Sequence, residues 1–442
     1  MRSYYSAELW VREIRGLCRP RQKGHALLCV SAVLGVVIAA TGHAAVISTT
    51  GSSTDLGNTL TWSGGVTPGA GDTANFINSG TYTASNGSTF TFGGMTFNNA
   101  AAVEISPAAG NAITINLGTG GLGGTTSVNR LGNTNNLVTL ALGANDQTWS
   151  IASTNTGANI TGTATVELTA TGQTWLRGTN SGFTGTWKVS AGGTVYADGL
   201  ISNQLGGQGS TVELLNDGKL RLGGTGAVRT FSVQTSIELT GNGGILAQQP
   251  GTALDSTVTT SQPISGPGNL TLEGLSPRND AKTILNLGGN ITHTGDTIVK
   301  GATTASEPFT VNLTSTSSMT FTIGANGVNN SILDQSGAGF NDLTLDGSFV
   351  FNRSGASIAA GNAWTIVGSG FDSLAYGQNF SVPGFTEETP GQWTLVDAGT
   401  TWSFSESTGN LTIAVVPEPS GLLLAASSCG LLVWWRHRRR CG

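Results

Sequence analysis

Apolar and polar residues alternate one by one along short stretches of this chain, and each stretch is closed by Gly, Asn or Asp. Ala164, Val166, Leu168 and Ala170 interleave with Thr163, Thr165, Glu167 and Thr169, while Leu220 and Leu222 interleave with Lys219 and Arg221. Successive side chains of a β-strand point to opposite faces, so period two buries one face and leaves the other in solvent. The pattern returns at Ile113/Ile115/Leu117, Val138/Leu140/Leu142, Ile237/Leu239, Leu270/Leu272, Val311/Leu313, Phe321/Ile323 and Leu343/Leu345. Composition agrees, because Thr and Val favour strands and the 66 glycines favour corners, whereas helix-forming Lys, Glu and Met are scarce. No strict Gly-X-Y period is present, which argues against collagen, and the regular alternation argues against disorder. An all-β chain of many short strands with a substantial core follows.

Charge is distributed unevenly. Residues 1–44 carry six Lys/Arg and two Asp/Glu, and residues 417–442 carry four Arg and one Glu. The body between them holds ten basic and twenty-two acidic residues, a net charge near −12. Such a body repels phosphate backbones, and no run interleaves basic with aromatic residues, so nucleic acid is not an expected partner. The ten basic residues are scattered along the sequence. All four cysteines, Cys18, Cys29, Cys429 and Cys441, lie near the ends, so no disulfide staples the body and stability must come from an extended apolar core.

Both ends read as export signals. Arg12, Arg15, Arg19, Arg21 and Lys23 precede a largely apolar run from Ala26 to Ala40, and Thr41-Gly42-His43-Ala44 offers small residues suited to cleavage between Ala44 and Ala45. A permanent membrane helix is the competing reading, but it needs roughly 20 apolar residues. At the other end, Val416-Pro417-Glu418-Pro419 is followed by an apolar run from Gly421 to Trp435 and then by Arg436, Arg438, Arg439 and Arg440. The prolines interrupt any regular element entering from the body. As a helix the run spans about 22 Å at 1.5 Å per residue. Trp434 and Trp435 suit the membrane interface, and the arginines hold the end in the cytoplasm. This tripartite tail resembles the PEP-CTERM sorting signal. The resemblance implies an exosortase-type membrane transpeptidase as partner, transient anchoring in the inner membrane through a C-terminal transmembrane helix, and cleavage near the motif. The body would reach the membrane through the Sec export machinery and end on the outer surface or in an exopolysaccharide matrix, as in a biofilm. An ordinary, uncut C-terminal anchor is the competing reading.

Internal repetition distinguishes the architectures open to such strands. Asn180-Ser181-Gly182-Phe183-Thr184-Gly185-Thr186-Trp187-Lys188-Val189 and Asn290-Ile291-Thr292-His293-Thr294-Gly295-Asp296-Thr297-Ile298-Val299 share Asn, Thr-Gly and Val at the same offsets, and Ile264 to Gly274 reads as the strand preceding such a corner. Together they resemble the autotransporter-associated β-strand repeat, best over residues 264–301, with His293 where that family often has an aromatic residue. The resemblance implies a right-handed parallel β-helix, a β-solenoid with terminal caps, in which roughly 15 coils would rise about 70 Å at the usual strand spacing. A hairpin sandwich is the competing fold. True autotransporters end in a membrane β-barrel, whereas only a short tail follows this body, so another export route is expected.

The sequence therefore divides into a signal peptide (1–44), a β-solenoid (45–361), an aromatic-rich C-terminal β cap (362–415) and the sorting tail (416–442). Trp62-Ser63-Gly64-Gly65 and Pro68 to Phe76 resemble the opening segment of such repeats and are expected to cap the first coil. Trp364, Phe371, Tyr376, Phe380, Phe385, Trp393, Trp402 and Phe404 are expected to form cap core, with sugar-stacking as the other reading. Chemistry is sparse. His293 is the one histidine of the body, Asp72 and Asp296 sit in Gly-Asp-Thr turns, and Glu387-Glu388 reads as a solvated loop pair. Gly223-Gly224-Thr225-Gly226 lacks the lysine and helix of a phosphate loop. No catalytic residue, metal site or cofactor is expected. The expected function is that of a non-enzymatic structural or adhesin-like surface protein with exopolysaccharide as a ligand. The alternative is a β-helix polysaccharide lyase or hydrolase, whose mark would be three or more carboxylates and an Arg or Lys converging in one groove.

Overall fold

A computed structural model describes residues 44–415 apart from 85–86, 99–102, 109–110, 126–128, 133–136, 152, 170–171, 191, 198–202, 224–229, 249–255, 276–281, 302–307 and 336–339. The leader up to residue 43 and the tail from Val416, with Pro417, Glu418, Pro419, Trp434, Trp435 and the four arginines, lie outside the described residues. Among the described residues there is no α-helix, and no helix long and apolar enough to cross a membrane.

The chain from Val46 winds repeatedly past the same stations. Ser236–Leu239 lies in a first sheet, Gly243–Gln248 in a second and Ser256–Thr260 in a third, after which Ile264–Ser265 returns to the first sheet and pairs beside Ile237. The first sheet has 15 strands, most of them on one path from Val46–Ser48 to Ser348–Asn352. The second stacks 11 strands from Gly80–Tyr82 to Ile332–Asp334, and the third stacks 6 from Thr230–Val233 to Ser373–Tyr376. Neighbours within all three pair in parallel, as in Thr186–Val189 on Thr165–Leu168 and Leu270–Leu275 on Gly243–Gln248. A hairpin sandwich would require antiparallel neighbours, and it does not describe this body. The result is an all-β chain of long parallel sheets, in keeping with a β-solenoid.

The alternation read from the sequence sets which side chains enter the core. Val166 and Leu168, Val212 and Leu214, Ile237 and Leu239, Leu220 and Leu222, and Ile245 and Leu272 are buried, while their neighbours face outward. Burying each of these aliphatic side chains contributes about 1.5–3 kcal/mol, which offsets the entropy of fixing so many short strands. Aromatics fill the wider parts. Trp149 and Trp187 meet edge to face at 5.5 Å, with the Trp187 Nε1 donating to the Leu205 carbonyl at 2.8 Å and the Trp149 Nε1 to Gln147 Oε1 at 2.9 Å. Near the start, Trp62 packs against Phe76 and Phe92 and donates to the Leu56 carbonyl. On the outside, polar ladders join successive coils: Asn312 Nδ2 donates to Asn286 Oδ1, and Asn286 Nδ2 to Thr259 Oγ1.

Corners between the first and second sheets stack directly. Gly241, Gly268 and Gly295 lie above one another; a Cβ on Gly268 would stand 1.8 Å from the Gly241 carbonyl oxygen, and one on Gly295 would stand 2.5 Å from that of Gly268. Beside them runs a side-chain-to-backbone ladder. Asn242 Oδ1 accepts from the Asn269 amide, Asn269 Oδ1 from the Asp296 amide, and Asp296 Oδ1 from the Ser331 amide, at 3.2, 2.8 and 2.9 Å. Asp296 thus caps the next coil and not its own turn. Asp72 behaves as an ordinary turn residue, its Oδ2 accepting from the Gly69 amide.

This register changes how the repeats align. Ile264 pairs with Ile291, Leu270 with Thr297 and Leu272 with Val299, so the Ile264 to Gly274 segment lies directly beneath the 290–299 corner and is its equivalent one coil earlier. The strand leading into that corner is Thr283–Leu287, in the third sheet. The 180–189 copy is out of phase: Thr186–Val189 belongs to the first sheet, Thr297–Lys300 to the second. A coil is only 21 residues long between Thr165 and Thr186 but 27 between Ile264 and Ile291, and this difference breaks any fixed offset.

Residues 362–415 are not a separate layer throughout. Val367 bridges to Ile332, Ser373–Tyr376 pairs with the third sheet, and Ser381 bridges to Ser348, which makes one further coil. The remaining strands form an antiparallel five-stranded sheet from Ala363–Thr365 and Thr386–Thr389 to Asn410–Val415. Trp364 stacks on Trp402, and Phe404 reaches Phe349, Phe351 and Phe380, joining this sheet to the last coils through a buried aromatic core.

Candidate functional site

The outer face of the second sheet gathers side chains that the linear sequence keeps apart. Following the pairing from coil to coil, one column on the side away from the apolar core runs Thr81, Glu104, Arg130, then past the backbone of residue 155 to Trp175, Tyr196, Arg221, Leu246, Glu273 and Lys300, with Tyr196 and Leu246 buried beneath their neighbours. Lys219 lies in the adjacent column of the same face, and Arg177 follows the strand of Trp175. Five of the ten basic residues of the acidic body therefore stand on or beside one sheet, which corrects the scattered distribution expected from their sequence positions. What conceals them is that side-chain parity is local, whereas column membership depends on coil length.

Two arginines are held by aromatic rings. The Arg177 guanidinium lies 4.9 Å from the centroid of half-buried Trp175, and the Arg221 guanidinium 4.7 Å from that of Tyr196. Trp175 and Tyr196 meet edge to face at 4.0 Å. Such stacks restrict a long cationic side chain to a narrow set of positions. Burial draws the Arg221 guanidinium below its ordinary pKa.

A cleft of about 260 Å³ opens on the same face, among Asp217, Lys219, Gly244, Leu246, Thr271, Glu273 and Lys300. Its floor is Gly244, in the outward column between Lys219 and Thr271. Lys300 Nζ stands 3.1 Å from Glu273 Oε1, and Lys219 Nζ 3.6 Å from Oε2. Asp217 reaches the rim from a turn in which Asn216 and Asp217 both take positive φ, 49° and 65°, a conformation Asn and Asp accept more readily than other side chains.

Comparison with family models, curated proteins and solved structures gives no match for this chain.

The other residues singled out from the sequence sit elsewhere. His293 is buried in the corner stack, its Nε2 3.0 Å from Thr297 Oγ1 and its ring beside the Asp296 backbone. Burial lowers its pKa from 6.5 to about 4, so it is a neutral core group. Glu387 and Glu388 lie on the exposed edge strand Thr386–Thr389 and accept from the Gly391 amide and the Thr394 hydroxyl, so the pair is in a strand and not a loop. The described carboxylates, histidines and cysteines form no group of three or more suited to a metal. The cleft holds two carboxylates and two lysines, one carboxylate short of the arrangement named above for a lyase or hydrolase. Ala45 is exposed, and its amide donates to Asp72 Oδ1 at 3.0 Å.

Proposed function

We propose that the chain is an exported, non-enzymatic surface protein of structural or adhesin-like type, whose right-handed parallel coils present a long face to extracellular polysaccharide. The single observation that carries this reading is the row of polar and basic groups on successive coils, among them Arg130, Arg221, Glu273 and Lys300, since such a row matches an extended polymer better than a compact metabolite. Contacts of that kind are individually weak and add through repetition.

The ends supply the route. Cleavage after Ala44 would turn the Ala45 amide into a free amine beside the Asp72 carboxylate, which supports a mature N-terminus there. The leader would engage the Sec machinery. The tail would hold the protein in the inner membrane, with Trp434 and Trp435 at the interface and Arg436, Arg438, Arg439 and Arg440 inside, until an exosortase-type transpeptidase acts near Val416-Pro417-Glu418-Pro419.

Replacing Pro417, Glu418 and Pro419 together by alanine leaves the apolar run intact, so membrane insertion should survive while processing fails. Immunoblots of membrane fractions should then show a larger precursor accumulating. Mature protein appearing at the surface at the normal rate would mean that the motif is not a recognition site.

A further inference from the structure

We propose that the cleft between Lys219 and Lys300 on the outer face of the second sheet is a binding subsite for acidic polysaccharide, seating one uronate residue over Gly244. The proposal rests on the reading of the chain as a polysaccharide-contacting protein and names the place and the ligand chemistry.

Gly244 is the first ground. Gly244 is the second residue of the strand Gly243–Gln248, and glycine inside a strand weakens it and often marks a bulge, a bend or the close approach of another group. None of the first two applies, because Gly243–Gln248 pairs without a register shift on both sides. Crowding is mild: a Cβ there would meet the Thr271 carbonyl oxygen at 3.2 Å, a tight contact that a shift of a few tenths of an ångström relieves, in contrast to 1.8 Å at Gly268. The missing side chain leaves a hollow between Lys219 and Thr271, walled by Leu246 and Glu273.

Charge is the second ground. Both ammonium groups share the one Glu273 carboxylate, so this cluster carries one positive charge in excess within a body near −12. Asp217 at the rim makes the cleft as a whole neutral. The lysines therefore offset the acidic body locally without making a strong positive field, and a uronate residue fits such a cleft because it brings one carboxylate for a lysine and several hydroxyls that can donate to Glu273 and Asp217. Single-stranded nucleic acid would need open aromatic faces, but Tyr196 is buried and Arg177 covers Trp175. A peptide adding a strand would need an unpaired edge, and this strand is paired on both sides.

The test uses the full chain in mild detergent and a fluorescently labelled oligogalacturonate, followed by anisotropy. Wild-type protein should bind it, and the methyl-esterified oligomer should bind about tenfold more weakly or worse. Gly244→Val, which fills the hollow with a good strand former, and the double change Lys219→Gln with Lys300→Gln should each weaken binding by about tenfold or more. Circular dichroism verifies that each variant is folded. If Gly244→Val does not fold, Gly244→Ala and the lysine pair carry the same comparison. The proposal is overturned if the wild type does not bind, if folded variants bind as the wild type does, if the methyl ester binds equally, or if an oligodeoxythymidylate of equal charge competes equally. Any of these outcomes with the body found on the cell surface removes only the subsite. A body confined to the cytoplasm removes the surface reading and leaves a positive binding result intact.

Discussion

Gly268→Ala should destabilise the body by about 3 kcal/mol or more, the upper range for forcing one extra methyl into a packed site. The new Cβ would lie 1.8 Å from the Gly241 carbonyl oxygen and 2.3 Å from its carbon, both backbone atoms. Neither coil can easily withdraw. The Gly268 amide donates to the Leu239 carbonyl at 3.1 Å, and the next amide donates to Asn242 Oδ1. Gly71→Ala is the matching control, because a Cβ there meets nothing within 4 Å, and it should leave stability nearly unchanged or slightly raised. Urea unfolding of both variants, followed by circular dichroism, checks the contrast. Equal midpoints would mean that the corners do not stack as described.

The second large effect is on acid stability. In the unfolded chain His293 takes up a proton near pH 6.5, but in the fold burial holds its pKa at about 4. As pH falls through 6.5 the unfolded state therefore binds the proton first, and stability is lost progressively down to about pH 4, where the folded protein is protonated too. A shift of this size corresponds to about 3 kcal/mol at most. Asp72 and Asp346, whose hydrogen bonds lower their pKa, also lose their contribution as pH falls, so the wild type alone is ambiguous. The difference between wild type and His293→Gln isolates the imidazole. The gap in melting temperature should close or reverse in favour of the variant as pH drops from 6.5 to 4, and a constant gap would show that His293 is not held neutral.

What could be read before the structure was whatever depends on near neighbours. Parity along a strand is local, so the inward Val166, Leu168, Leu220 and Leu222 and the outward Lys219 and Arg221 followed directly from alternation. The buried aromatics of residues 362–415 were legible for a similar reason, since eight large rings in a short span must cover one another. Coil phase was not legible. Coil length varies, so the two Asn…Thr-Gly…Val copies match in sequence and yet occupy different sheets. The basic column was hidden by the same variation: Trp175, Tyr196, Arg221 and Leu246 are neighbours only because their coils are 21, 25 and 25 residues long. Asp296 shows the remaining limit, because a Gly-Asp-Thr turn looks alike whether its carboxylate serves its own loop or the coil above.

The export of the body is tested most directly by treating intact cells with protease and probing with an antibody raised against residues 45–415, followed by N-terminal sequencing of the surface material. The account predicts that the body is degraded on intact cells and that the protein recovered from untreated cells begins at or near Ala45. A body that resists protease until the cells are lysed, and that still carries residues 1–44, would contradict it.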